Sequence, residues 1–309
     1  MGKPALAVHG GAGTIFRSEM TPELEIEYRK GIENALRAGW AVLQSRGSSL
    51  DAVDAAVRQL EDFPLFNAGR GSVFTHEGKT EMDAAIMDGH LKKAGAVAFV
   101  RNVKNPIGLA RLVMERTEHV LLAGEGAILF AEEMDVELAD NAYFYTEHRW
   151  KQLEEAIAAG RVQLDHAGAA HPKPIGTVGA VACDVNGHLA AATSTGGMTN
   201  KKFGRVGDTP IIGAGTYADD FCAVSCTGHG EYFITNVTAF DVAARIKYKG
   251  LNIEQAAQES IDHLTSLEGE GGMIAVDPQG NIAMPFNSEG MYRGSVSSNG
   301  EITIAIYND

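Results

Sequence analysis

Four short stretches rich in threonine and glycine hold the residues best able to do chemistry: "TVG" at 177–179, "TSTGG" at 193–197, "GRVGD" at 204–208 and "TGHGE" at 227–231. Each alone has an ordinary structural explanation. Threonine is a good strand former. Thr193 and Thr195, two apart, share one strand face, where a threonine ladder suffices. Arg205 with Asp208 reads as a surface ion pair worth roughly 0–1 kcal/mol. Thr227-Gly228 reads as a strand end. Together, four polar sites at the ends of apolar strands describe the floor of a pocket.

Such a pocket needs a nucleophile, and a threonine hydroxyl is weak unless a base adjoins it. A threonine at a chain N-terminus supplies its own base, because a free α-amine has a pKa of about 7.7–8.0. An internal threonine cannot do this, since its nitrogen is an amide. The chain would therefore have to break before Thr177. Gly176 offers no side chain to hinder attack on its carbonyl, and the aperiodic segment 160–176, "GRVQLDHAGAAHPKPIG", is the best linker in the sequence.

The elements that must position these residues follow from periodicity. A short apolar strand at 4–8 runs into "HGGAG". Thr21 and Pro22 open a helix whose inner face is Leu24, Tyr28, Ile32, Leu36 and Leu43. Ser48 with Asp51 opens a second, with Val53, Ala56, Val57 and Leu60 inward. Strand-like runs follow at 81–89 and 94–100, then a helix at 106–117, a strand at 119–123, a helix at 126–134 and a polar helix at 147–159. Beyond the linker, 177–197 and 273–284 read as two hairpins that share the frame Ala-x-Asp-x-x-Gly-x-(Leu/Ile)-Ala. Between them lie a strand at 220–228, one long helix near 231–248 and another near 253–266. Strand-like runs at 293–298 and 301–307 end the chain. Tight hairpins require antiparallel pairing. Strands apolar on both faces require cover on both faces, so the pattern predicts helix, sheet, sheet and helix layers. The part before the linker has few strands and the part after it few helices, so residues 1–309 read as a single domain.

Bulk properties exclude other classes. The net charge is −14, which disfavours nucleic acid and anionic membranes as partners. No apolar run approaches a membrane span or a signal segment, and three cysteines fit reduced thiols in a cytoplasmic protein. Glycine pairs at 11–13, 69–71, 124–126 and 213–215 lack the third glycine of a dinucleotide fingerprint. There is no phosphate-binding lysine loop, no G-x-S-x-G elbow and no zinc spacing among the ten histidines.

The sequence resembles the plant-type asparaginases, also called isoaspartyl (β-aspartyl) peptidases, which are N-terminal nucleophile hydrolases. The resemblance spans nearly the whole chain. It is carried by "HGGAG" (9–13), "FNAGRGSVFT" (66–75), "EMDAAIMDG" (81–89), "NPIGLARLVME" (105–115), "GTVGAVACD" (176–184), "TSTGGMTNK" (193–201), "GRVGDTPIIGAGTYA" (204–218) and "SCTGHGE" (225–231). It implies an α+β fold, a four-layer αββα sandwich. It also implies autocleavage between Gly176 and Thr177 into segments 1–176 and 177–309, and an (αβ)₂ assembly. Thr177 is then the nucleophile, Thr195 its neighbour, and Thr227 with Gly228 the oxyanion hole. Arg205 holds the substrate α-carboxylate, Asp208 the α-ammonium with help from a Gly228 or Gly230 carbonyl, and Asn67 lines the leaving-group side. The implied substrates are L-asparagine and isoaspartyl dipeptides. No cofactor takes part in catalysis, but a structural sodium ion is implied on the carbonyls of Leu60, Glu61, Phe63, Phe66, Ala68 and Arg70. A glycosylasparaginase-like amidase, a taspase-like threonine protease and a non-catalytic small-ligand binder with an uncut chain are the alternatives.

Overall fold

The computed structural model describes residues 2–13, 15–160 and 176–308. Apart from Gly160 and Gly176, the expected linker lies outside the described residues.

Helix starts fall where local chemistry places them. Thr21 accepts from the Leu24 N–H (3.2 Å) and Pro22 takes the first position of α1 (Pro22–Gln44). Ser48 accepts from the Asp51 N–H (3.1 Å) to open α2 (Ser49–Glu61). Each cap satisfies a backbone donor that the helix itself leaves unpaired. The buried face of α1 is Tyr28, Ile32, Leu36 and Leu43, interleaved with Gly31, Ala35 and Gly39. The small residues let the helix lie close: a Cβ on Gly39 would stand 2.7 Å from the Leu6 side chain.

The strands are β1 (Ala5–Gly13), β2 (Met82–Asp88), β3 (Lys93–Val100), β4 (Leu121–Ala123), β5 (Val178–Cys183), β6 (Leu189–Thr195), β7 (Thr216–Ala218), β8 (Ala223–Gly228), β9 (Gly271–Val276), β10 (Ile282–Ala283), β11 (Gly290–Val296) and β12 (Ile302–Ala305). Among the described residues they form two sheets, ordered β12-β11-β1-β5-β6-β2-β3-β4 and β10-β9-β8-β7. Pairing is antiparallel except between β3 and β4, which are joined through the crossover helix α3 (Pro106–Arg116). The remaining helices are α4 (Gly124–Glu133), α5 (Asn141–Phe144), α6 (Glu147–Ala158), α7 (Gly230–Asn236), α8 (Thr238–Lys249) and α9 (Ile253–Ser266).

Strand alternation divides the core. Leu6, Val8, Ala180, Ala182, Ala190 and Ala192 pack with α1 and α2 residues on one face of the larger sheet. Their neighbours Ala5, Ala7, Val181, Cys183, Leu189 and Ala191 pack with Ala223, Ile274 and Val276 of the smaller sheet. The other face of that sheet, with Cys222, Val224, Cys226, Met273 and Ala275, is covered by Val242 and Ala243 of α8 and Ala256, Ala257 and Ile261 of α9. The molecule is thus a mixed α/β fold with two sheets and helices. No helix among the described residues is long and apolar enough to cross a membrane.

Two expectations are corrected. The first strand does not end at residue 8 but runs through the glycines to Gly13, with a bulge between His9 and Gly11. The single helix near 231–248 is two helices, broken at Val237, whose backbone is left-handed (φ 50°, ψ 46°). The break has a cause in hydrogen bonding. The Ala239 and Phe240 N–H groups donate to the carbonyls of Ala214 and Gly213 (3.0 and 2.8 Å), which pins the start of α8 to that loop.

Candidate active site

The central strands of the larger sheet place Thr177. It stands immediately before β5, which pairs with β6 in the register Val178↔Ser194 and Gly179↔Thr193, so Thr177 lies opposite Thr195. Its hydroxyl donates to Thr195 Oγ (3.1 Å), which also accepts from the Gly197 N–H (3.0 Å). Thr177 is 9% exposed, and Thr195 is buried. Thr227 is the penultimate residue of β8 in the smaller sheet and accepts from the Ala12 N–H of β1 (3.2 Å). The glycine run of β1 thus brings the two sheets together at this point. Gly11 (φ 115°) presses on the residue before Thr177: a Cβ there would lie 2.4 Å from Gly176 N. Gly228 (φ 144°) has the same need, since its Cβ would stand 2.4 Å from Glu270 O.

Asn67 is buried beside this row. Its amide donates to Gly197 O (2.8 Å) and accepts from the Val73 N–H (3.0 Å), while its own carbonyl accepts from the Gly196 N–H (3.1 Å). Both polar atoms of the side chain are engaged with backbone, so Asn67 braces the turn that follows Thr195.

The second cluster corrects the reading of Arg205 with Asp208 as a surface ion pair. Arg205 Nε and Nη2 donate to the two carboxylate oxygens of Glu231, both at 2.9 Å. Asp208 is buried, and its Oδ2 has no hydrogen-bond partner among the described residues. Burial pushes its carboxyl up to about 7, although Arg205 pulls the other way. Gly230 lies between them: a Cβ on it would be 2.8 Å from Asp208 Oδ1 and 2.9 Å from Arg205 Nη2. The two clusters adjoin through Gly215, whose Cβ would stand 2.7 Å from Asp208 Oδ2 and whose carbonyl is 3.5 Å from Thr193 Oγ. Beneath them Lys201 is buried and donates to Glu81 O (2.6 Å). Burial lowers its pKa, while Asp83 and Glu81 oppose the shift.

Leu60, Glu61, Phe63, Phe66, Ala68 and Arg70 span the end of α2 and the loop on either side of Asn67. This loop is closed on its own carbonyls. A Cβ on Gly69 would sit 2.5 Å from Glu61 O, and one on Gly71 2.0 Å from Phe66 O. Among the described residues no three His, Cys, Asp or Glu side chains are grouped to hold a metal ion. Within the loop the carbonyls of Leu60, Phe63, Phe66 and Ala68 accept from the N–H groups of Phe63, Phe66, Ala68 and Gly71.

Sequence reasoning missed His9, Ser225 and Glu231. His9 and Glu231 sit inside motifs quoted above, "HGGAG" and "TGHGE", yet nothing in their spacing shows that they reach Ser225 and Arg205.

The asparaginase family model matches residues 2–306. An isoaspartyl peptidase of Salmonella typhimurium is 50% identical, with 100% of each chain covered. One of Escherichia coli is 48% identical over 100% of this chain and 98% of its own. A probable isoaspartyl peptidase/L-asparaginase of Arabidopsis thaliana is 44% identical over 99% of this chain and 100% of its own. The similarity runs through both sheets and every strand that carries the threonine row, and the chain belongs to the asparaginase family.

Proposed function

We propose that this protein is a threonine amidohydrolase that cuts its own chain before Thr177 and then hydrolyses L-asparagine and β-aspartyl (isoaspartyl) dipeptides to release L-aspartate. The observation that carries this reading is the Thr177–Thr195 hydroxyl contact of 3.1 Å at the start of β5, directly after a glycine pinned by Gly11. In the precursor the Thr177 hydroxyl adds to the Gly176 carbonyl, the peptide nitrogen leaves, and water hydrolyses the resulting ester. The freed amine is then the base for the same hydroxyl. Thr177 Oγ attacks the side-chain carbonyl carbon of the substrate and its proton passes to the amine. Ammonia or an amino acid departs with that proton, and water releases aspartate from the β-aspartyl ester. Thr227 Oγ and the Gly228 N–H would face the developing oxyanion, where losing one donor typically costs on the order of 10²–10³ in rate.

Arg205 and Asp208 would fix the amino-acid head. A buried carboxylate without a donor is unfavourable unless a cation meets it, and the substrate α-ammonium supplies one, assisted by a Gly228 or Gly230 carbonyl. This has a pH signature. Asp208 is ionised only above about 7 in the free enzyme, so KM should rise by up to about tenfold per unit as pH falls below that value. A KM flat from pH 8 to 5.5 would remove Asp208 from this role.

The three packed interfaces support a four-layer αββα sandwich built as one domain. Because β5 lies between β1 and β6, and β6 beside β2, segments 1–176 and 177–309 would stay interleaved after the cut. Assembly as (αβ)₂ and residence in the cytoplasm complete the proposal; three free, buried cysteines fit a reducing compartment. The carbonyls of Leu60, Glu61, Phe63, Phe66, Ala68 and Arg70 would hold a sodium ion. Such an ion would supply charge and rigidity to the loop around Asn67, and no proton chemistry.

The test is aspartate release by purified, fully incubated protein from L-asparagine, β-Asp-Leu and an N4-glycosylated asparagine. Turnover of the first two with two bands on a denaturing gel is expected. Turnover of the glycosylated compound alone, or one full-length band with no turnover, would overturn the reading.

A further inference from the structure

One pleat repeat behind Thr177, Thr195 and Thr227 stand Gly179, Thr193 and Ser225, on β5, β6 and β8. Side chains two apart on a strand share a face. Gly179 is flanked in register by His9 on β1 and Thr193 on β6. From the smaller sheet, Ser225 Oγ lies 2.8 Å from His9 Nε2 and 2.8 Å from Thr193 Oγ. Thr216 Oγ continues the chain at 2.7 Å from Thr193 Oγ and 3.0 Å from Thr209 O. His9, Thr193, Thr216 and Ser225 are all 0% exposed. The chain passes over Gly179, where a Cβ would stand 2.0 Å from Ser225 Oγ and 2.5 Å from His9 Nε2. Only glycine fits there, which accounts for the last letter of "TVG".

The same inter-sheet space is otherwise filled by Ala5, Ala7, Val181, Ala191 and Ile274. Apolar contacts hold two sheets together but permit small slides. Hydrogen bonds among buried hydroxyls and an imidazole have one length and one register, and an unmade bond there is expensive. Burial keeps the His9 ring neutral, with its pKa pushed down to about 3, so Nε2 meets Ser225 as donor or acceptor according to tautomer, while Nδ1 has no hydrogen-bond partner among the described residues. The reaction needs that fixed register. The attacking hydroxyl sits on the larger sheet, whereas Thr227 and Gly228 sit on the smaller.

We propose that His9, Ser225 and Thr193 are positioning residues: a hydrogen-bonded layer one repeat behind the threonine row that sets the nucleophile on one sheet against the oxyanion donors on the other. This rests on the assignment of Thr177 as nucleophile. The layer meets the Asp208 cluster only at the backbone carbonyls of Thr209 and Gly215 and hydrogen-bonds to neither Arg205 nor the Asp208 carboxylate, so its effect falls mainly on the chemical step.

The experiment measures kcat and KM for β-Asp-Leu, normalised to the fraction of chain that begins at Thr177, with Tm recorded for each variant. Ser225→Ala and Thr193→Val should each lower kcat by about 10- to 100-fold, as expected for a misplacement of about 1 Å or less, with KM within about twofold. The double variant should be no worse than the poorer single, because both break one chain. Thr193→Ser should recover kcat, since it keeps the hydroxyl. His9→Gln, whose amide nitrogen reaches the place of Nε2, should also recover it, whereas His9→Asn, which is too short, should not. An unchanged kcat in Ser225→Ala, a raised KM at constant kcat, or penalties that multiply in the double variant would overturn the inference. If Ser225→Ala does not fold, the Thr193 and His9 pairs carry the same test. Thr177→Ala is assayed alongside. Were it still active, the nucleophile assignment and this inference would fall together. Were it inactive while Ser225→Ala equalled wild type, only this inference would fall.

Discussion

Thr177→Ala should leave a single unbroken polypeptide and lower hydrolysis of L-asparagine and β-Asp-Leu by on the order of 10⁴-fold or more, the scale of losing a nucleophile. Two losses coincide in this variant. Alanine has no hydroxyl to attack the Gly176 carbonyl, so the α-amine is never freed, and none to attack substrate. The fold should survive, because Thr177 precedes β5 and, among the described residues, its side chain makes one hydrogen bond, to Thr195. A denaturing gel and an aspartate assay on the same sample check both outcomes. Cleavage at 176/177 in this variant would show that another group performs it.

Arg205→Ala is expected to raise KM by on the order of 10²-fold while lowering kcat by less than about tenfold. A charge-assisted fork to a carboxylate is among the stronger polar contacts, and truncating one partner of such a pair costs about 2–5 kcal/mol. Glu231 holds the Nε and Nη2 side of the guanidinium, which leaves Nη1 for a second carboxylate. Arg205→Lys should not rescue, because a single ammonium cannot serve Glu231 and the substrate with the same geometry. Steady-state kinetics over a wide range of substrate concentration decides the matter. An unchanged KM would mean that the α-carboxylate is held elsewhere.

Much of this architecture can be read from short-range rules. Thr21-Pro22 and Ser48 with Asp51 announce helices because a cap is a local hydrogen bond, and α9 begins at a capping box, Asn252 with Gln255. The hairpin of β5 and β6 is set by a turn of four residues. Val237 is different: nothing in "FITNVTAF" breaks a helix, and the break comes from carbonyls of a loop more than twenty residues earlier. The strand through "HGGAG" was hidden in the same way. Glycines lower strand propensity, but Gly11 and Gly179 are needed for what lies above them, the Gly176 backbone and the Ser225 hydroxyl.

The candidate site divides along the same line. Thr177, Thr195 and Thr227 stood out as polar residues ending apolar strands. Arg205 and Asp208 stand out as two charges three apart, but their spacing does not show that Arg205 pairs with Glu231 while Asp208 is buried. His9 and Ser225 are 216 residues apart, and no local pattern joins them. Contacts across two sheets depend on topology, which periodicity does not encode.

In this mechanism one residue, Thr177, provides both attacking oxygen and proton acceptor once a peptide bond is opened. Intact-mass measurement of active enzyme, with sequencing of any new N-terminus, tests it most directly. Activity should appear in step with a fragment whose first residue is Thr177 carrying a free amine. Full activity in an unbroken chain, or in one whose new terminus lies at any other residue, would contradict it.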